Sequence, residues 1–135
     1  MMNEMILDEA DLVESTHWPV TVIFGLFDDG EPNCPSIVCG ASGGTGYSFN
    51  DKGLVFWDEL DECERAGERP FDVECFLMGD SCKLTHGEFF HYMNLACERY
   101  AKRFPERKQE LADCLKAYST RFLANGETIA GEAGF

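Results

Sequence analysis

At 135 residues, with a pI near 4.4 and a formal net charge of −14, the chain is sized for one domain and too acidic to seek phosphate backbones or anionic membranes. The acid is one-sided: residues 1–64 carry 14 acidic side chains against the single base Lys52, whereas residues 65–135 carry 11 acids and 10 bases. So concentrated a negative surface attracts cationic proteins, which favours a binder of a basic partner over a catalyst; neither nucleic acid nor membrane is an expected partner.

Residues 1–16 mix acids with scattered apolar positions (Met5, Leu7, Leu12, Val13), the pattern of an acidic arm or a short helix. Residues 20–27 are rich in β-branched and aromatic side chains and predict a strand. Asp28-Asp29-Gly30-Glu31-Pro32-Asn33 has turn chemistry, and residues 36–39 predict the return strand of a hairpin. Four glycines within 40–46 predict an irregular loop. Residues 47–49 read as a brief third strand, followed by a turn at 50–53. Phe56, Leu60 and Cys63 recur at helical spacing and Gly67 supplies a stop, so a helix is predicted over 54–66. Residues 72–78 predict one more strand.

The last third has a plainer pattern. Thr85-His86-Gly87-Glu88 has the form of a capping box, and after it Phe89, Met93, Ala96, Tyr100 and Phe104 share one helical face. Pro105 breaks that helix. A second follows from 106, with Leu111, Cys114 or Leu115, Tyr118 and Phe122 turned inward, and Gly126 ends it. The expected fold is α+β: a small antiparallel sheet packed against a C-terminal helical hairpin, as a single domain over 17–125. The arm 1–16 precedes it and a loose tail, 126–135, follows.

Leu, Ile, Val and Phe supply 32 residues, enough for a core, and no apolar run approaches the length of a membrane span. The opening residues lack a positive region followed by a long apolar stretch, so a cytoplasmic protein is expected. The seven cysteines are odd in number and show no CxxC or paired spacing, which predicts reduced, structural thiols.

Three motifs test for chemistry. Gly40-Ala41-Ser42-Gly43-Gly44 matches G-x-S-x-G with His86 and His91 downstream, yet no helix is predicted directly after it, so a flexible loop is the better reading than a catalytic serine. The same glycines lack a following Lys-Ser/Thr, which excludes a P-loop. Cys82, His86 and His91 have the tightest Cys/His spacings, but positions five apart on a helix diverge, so no metal and no cofactor is expected. Lys102-Arg103 and Arg107-Lys108 are offset by Glu98, Glu106 and Glu110.

The densest acid cluster, Asp58-Glu59-Asp61-Glu62-Glu64, abuts the apolar run Leu54-Val55-Phe56-Trp57. An aromatic beside unbalanced acid is the composition of an interaction surface. The candidate partner-binding residues are Asp28, Asp29, Glu31, Trp57, Asp58, Glu59, Asp61 and Glu62, with Trp57 as an anchor or a core residue. A small, acidic, cytoplasmic α+β domain without a catalytic constellation resembles the bacterial immunity proteins that neutralise nuclease toxins, including those of contact-dependent growth inhibition (CDI). The stretch Val22-Ile23-Phe24-Gly25-Leu26-Phe27-Asp28-Asp29-Gly30-Glu31 looks like openings in that group. The resemblance implies a tight complex with a basic toxin domain, covering its active site or substrate groove. Other acidic interaction proteins (an adaptor, a chaperone, a nucleic-acid mimic) and a small enzyme using Ser42 are the alternatives.

Overall fold

A computed structural model describes residues 5–25, 27, 33–49 and 51–123. Its order is α1 (Pro19–Phe24), α2 (Cys34–Ser42), β1 (Tyr47–Phe49), β2 (Lys52–Phe56), α3 (Glu62–Arg65), β3 (Val73–Leu77), β4 (Asp80–Leu84), α4 (His86–Arg103) and α5 (Lys108–Phe122). The predicted turn at 28–32 and the tail from 126 lie outside the described residues.

The expected strand at 20–27 is a helix. Pro19 occupies the first turn, where its missing N–H costs nothing, and Gly25 ends the helix at φ +67° while donating to the Thr21 carbonyl. Pro19, Val20, Ile23 and Phe24 are buried, a helical spacing that a nearly continuous apolar run conceals. The expected return strand at 36–39 is a helix as well. Asn33 and Ser36 cap each other reciprocally, Pro35 sits in the first turn, and Cys34, Ile37, Val38 and Ala41 form the buried stripe. This helix carries Gly40 and Ser42 with it, so the irregular stretch shrinks to residues 43–46.

The sheet is an antiparallel meander in the order β1-β2-β3-β4. The helix predicted from residue 54 begins as β2: Leu54 and Phe56 point inward, and Phe56 pairs with Val73. Gly53 is required there. A Cβ would come 2.1 Å from the Tyr47 carbonyl oxygen and 2.8 Å from the Phe76 ring. β3 and β4 join through Met78 and Gly79, both at positive φ as a tight hairpin turn demands.

One sheet face carries Leu54, Phe56, Val73, Cys75, Cys82 and Leu84 into the core. Phe56 is its contact with the helical hairpin. Its ring lies parallel to Phe122 at 5.5 Å, edge-on to Phe89 at 6.3 Å, and 6.3 Å from Tyr118. α4 and α5 follow their expected faces. Thr85 and Glu88 form the capping box, and Phe89, Met93, Ala96, Tyr100, Leu111, Leu115 and Tyr118 are buried.

Six of the seven free cysteines meet in pairs brought together by the fold: Cys34 with Cys97, Cys39 with Cys114, and Cys75 with Cys82 across β3 and β4. Burial pushes the Cys97 thiol well up and the Cys39 thiol to about 12, so both stay protonated and unreactive.

Candidate partner-binding surface

Of the expected binding residues, Asp28, Asp29 and Glu31 lie outside the described residues. The other five occupy the connection between β2 and β3. Its first turn, Trp57–Glu59, is a 3-10 helix, and α3 follows it. Trp57 is half-buried. Phe71 meets its ring edge-on at 5.1 Å, and the Arg65 guanidinium lies 5.2 Å from its centroid while donating to the Trp57 carbonyl at 3.0 Å. Lys83 lies 5.5 Å from the Phe71 ring. Two cations and two aromatic rings thus form one clasp that holds Trp57 at the end of the sheet.

The acids do not all serve one purpose. Glu59 accepts the Phe56 N–H at 2.9 Å, and both of its oxygens lie 3.0 Å from the Gly46 N–H. It therefore latches the chain before β1 to the end of β2. Gly46 makes that latch possible, because a Cβ would sit 2.0 Å from the Leu54 carbonyl oxygen. Asp61 is the N-cap of α3, accepting from Glu64 N–H at 2.8 Å while Glu64 accepts from Asp61 N–H at 2.9 Å. Asp58 and Glu62 are exposed and have neither role. A latch and a cap were concealed among what reads in sequence as five equivalent surface charges.

A second acidic stretch is ordered where the sequence left an arm or a helix open. Residues 5–17 carry two short 3-10 turns, Glu9–Asp11 and Ser15–His17. Ile6 and Leu7 are buried, Ile6 N–H donates to Gly25, and Val13 N–H donates to the Tyr92 hydroxyl at 2.8 Å. Arg99 of α4 grips Asp11 through two nitrogens at 2.6 and 2.7 Å and also donates to the Ile6 carbonyl. The signal for this docking was Ile6-Leu7 directly before Asp8-x-x-Asp11, a reciprocal cap. An open groove of about 300 Å³ runs from Phe71 past Asp72 and Lys83 to Glu88, from the Trp57 clasp toward the start of α4.

The Arg99 hydrogen bonds hold the Asp11 carboxyl at about 2, below its ordinary 3.8. A carboxyl depressed by folding adds stability above its unfolded value and loses it as pH falls through the folded one. Asp11→Asn should therefore cost about 1–2 kcal/mol at pH 7, between the values for exposed and buried ion pairs. The difference from the parent should close between about pH 4 and pH 2. Urea unfolding of both proteins across that range checks it.

Among the described residues, Gly40-Ala41-Ser42-Gly43-Gly44 is not arranged as a nucleophile elbow. Ser42 lies in the last turn of α2, and its hydroxyl donates to the Cys39 carbonyl at 2.7 Å. Among the described residues, no histidine hydrogen-bonds to it. His86 Nδ1 pairs with the Tyr118 hydroxyl at 2.8 Å, the ring stacks on Phe122 at 4.1 Å, and His86 N–H donates to Asp72. These contacts fasten the start of α4 to α5. Of the four bases at the turn between the last helices, Arg107 pairs with Glu110 at 2.8 Å, and Arg103 stacks on Phe27 at 4.6 Å.

One comparison with known families found a match. Residues 17–115 match the family model described as CDI immunity protein. The chain belongs to that family. The match spans every element from α1 into α5, including the Trp57 clasp and the acids around it. No curated protein and no solved structure matches the chain. CDI immunity proteins neutralise a cognate toxin by binding it, and immunity proteins generally act as inhibitors rather than enzymes. Among the described residues of this immunity protein, no helix is long and apolar enough to cross a membrane.

Proposed function

We propose that this immunity protein neutralises a basic nuclease toxin by covering its active site or substrate groove with an acidic face. On this reading, Asp58 and Glu62 supply steering charge and Trp57 supplies an anchor at the dissociation step. Glu59 and Asp61 add charge while holding the loop in shape, and Asp28, Asp29 and Glu31 extend the face. The observation that carries the reading is the net charge of −13 on residues 1–64 in a member of a toxin-binding family. A nuclease groove is cationic because it must hold a phosphate backbone, so an acidic protein is electrostatically complementary to it.

The test uses the cognate toxin domain. Cleavage of a labelled nucleic acid by that domain should stop at equimolar immunity protein. Inhibition should weaken as a non-cleavable nucleic acid is added in excess, since both ligands need the same groove. Inhibition indifferent to competing nucleic acid would place the contact elsewhere and overturn the occlusion reading.

A further inference from the structure

We propose that Glu14, His17 and Glu88 form a binding site for a divalent transition-metal ion, with zinc as the best-suited occupant. One ligand atom from each lies within 4.8 Å of the others. They come from two places: Glu14 and His17 bracket the second 3-10 turn of the arm, and Glu88 stands in the first turn of α4. Sequence spacing weighed Cys82, His86 and His91 and did not connect the arm with α4.

The donor chemistry fits zinc. One imidazole and two carboxylates are a mixed nitrogen–oxygen set of the kind that holds zinc with one position left to water. His17 is buried, at 4 % exposure, and cannot choose its orientation freely. Its Nδ1 lies 2.8 Å from the Tyr92 hydroxyl, and the two rings meet edge-on at 88°. That contact engages Nδ1 and leaves Nε2 as the ligand, with Tyr92 in the outer position that fixes a metal-bound imidazole. Tyr92 is itself fully buried and receives the Val13 N–H. Glu88 is fixed in the same way, with one oxygen on the Thr85 N–H at 2.9 Å and the other left over.

The charges call for a cation. Two carboxylates sit together, and among the described residues neither forms an ion pair with a lysine or arginine. Asp8 and Glu9 on the same arm add to the negative potential. An ion would relieve the repulsion between Glu14 and Glu88 and tie the docked arm to α4. The inference goes beyond toxin binding and does not depend on it.

The experiment is a calorimetric titration of zinc chloride into the full-length, chelator-treated protein, on a Cys63→Ser background. That background removes the exposed thiol as a rival ligand. Expected is one saturable site, a rise in Tm with zinc, and at least a tenfold loss of affinity in Glu14→Gln. Glu14 is exposed, so this variant folds whatever becomes of one that changes buried His17. The imidazole nitrogen resonances of His17 should shift on zinc addition in the parent and not in Glu14→Gln. Absence of saturable binding, or binding of equal strength in Glu14→Gln with no change at His17, overturns the proposal.

Discussion

Asp58→Asn combined with Glu62→Gln should slow association with the toxin domain about three- to tenfold at low salt and leave dissociation and Tm unchanged. Both side chains are exposed and neither caps nor latches the backbone, so the exchange removes two charges and little else. Glu59→Gln and Asp61→Asn are different experiments. Gln at 59 weakens the carboxylate bonds to Phe56 and Gly46, and Asn at 61 loses the charge at the start of α3. Stability should fall with them, by about 0.5–1.5 kcal/mol each. Trp57→Ala acts on the other rate. Loss of an anchor worth about 2 kcal/mol should raise the dissociation rate about thirtyfold. Surface-immobilised kinetics paired with thermal melts separates the three effects. Unchanged association in the Asp58/Glu62 pair would remove these side chains from the steering surface.

Phe56→Ala should be the most destabilising single exchange considered, costing about 3–5 kcal/mol and lowering Tm by about 10–18 °C. Phe56 is 1 % exposed and touches β3, α4 and α5 at once, so its removal empties the junction between sheet and helical hairpin. Phe89, Tyr118 and Phe122 are large and already close-packed against one another, and they cannot collapse into the space without leaving their own contacts. Against a total stability of typically 5–15 kcal/mol, the loss is severe. Phe56→Leu keeps most of the volume and should cost less than half as much. Calorimetric melts of both variants check the ranking. A Phe56→Ala protein melting within a few degrees of the parent would mean that the junction repacks.

The fold class was legible in the sequence because the last third states its pattern without ambiguity. Thr85-x-x-Glu88 opens α4, Pro105 separates it from α5, and the inward faces follow the helical period. Residues 72–78 gave β3, but β4 passed unnoticed. Asp80-Ser81-Cys82-Lys83-Leu84 is a short edge strand that turns only Cys82 and Leu84 inward, and its polar face reads as loop. The first third misled for a physical reason. In Val20-Thr21-Val22-Ile23-Phe24 nearly every position is apolar, so periods of 2 and 3.6 fit equally well, and tertiary burial against β2, β3 and β4 decides for the helix; Phe24 also stacks on Phe89 of α4 at 5.9 Å. Over 54–63 the opposite occurred. Phe56, Leu60 and Cys63 kept helical spacing by coincidence across a strand, a 3-10 turn and a short helix.

The candidate surface was legible as charge and not as geometry. Composition located the acid beside Trp57, but the exchange of bonds between Glu59 and Gly46 joins residues 13 apart and has no local signal. The docked arm depends on Arg99, which lies 88 positions from Asp11. The site of Glu14, His17 and Glu88 was hidden for the same reason.

The most direct test of electrostatic recognition of a basic toxin is the rate of association with the cognate toxin domain over a salt series from about 0.02 to 0.5 M, a range that shortens the screening length several-fold. Steering by the acidic half predicts an association rate that falls tenfold or more across the series, with the dissociation rate nearly constant. Association and dissociation rates both indifferent to salt would contradict it and reduce the asymmetric charge to a means of staying soluble.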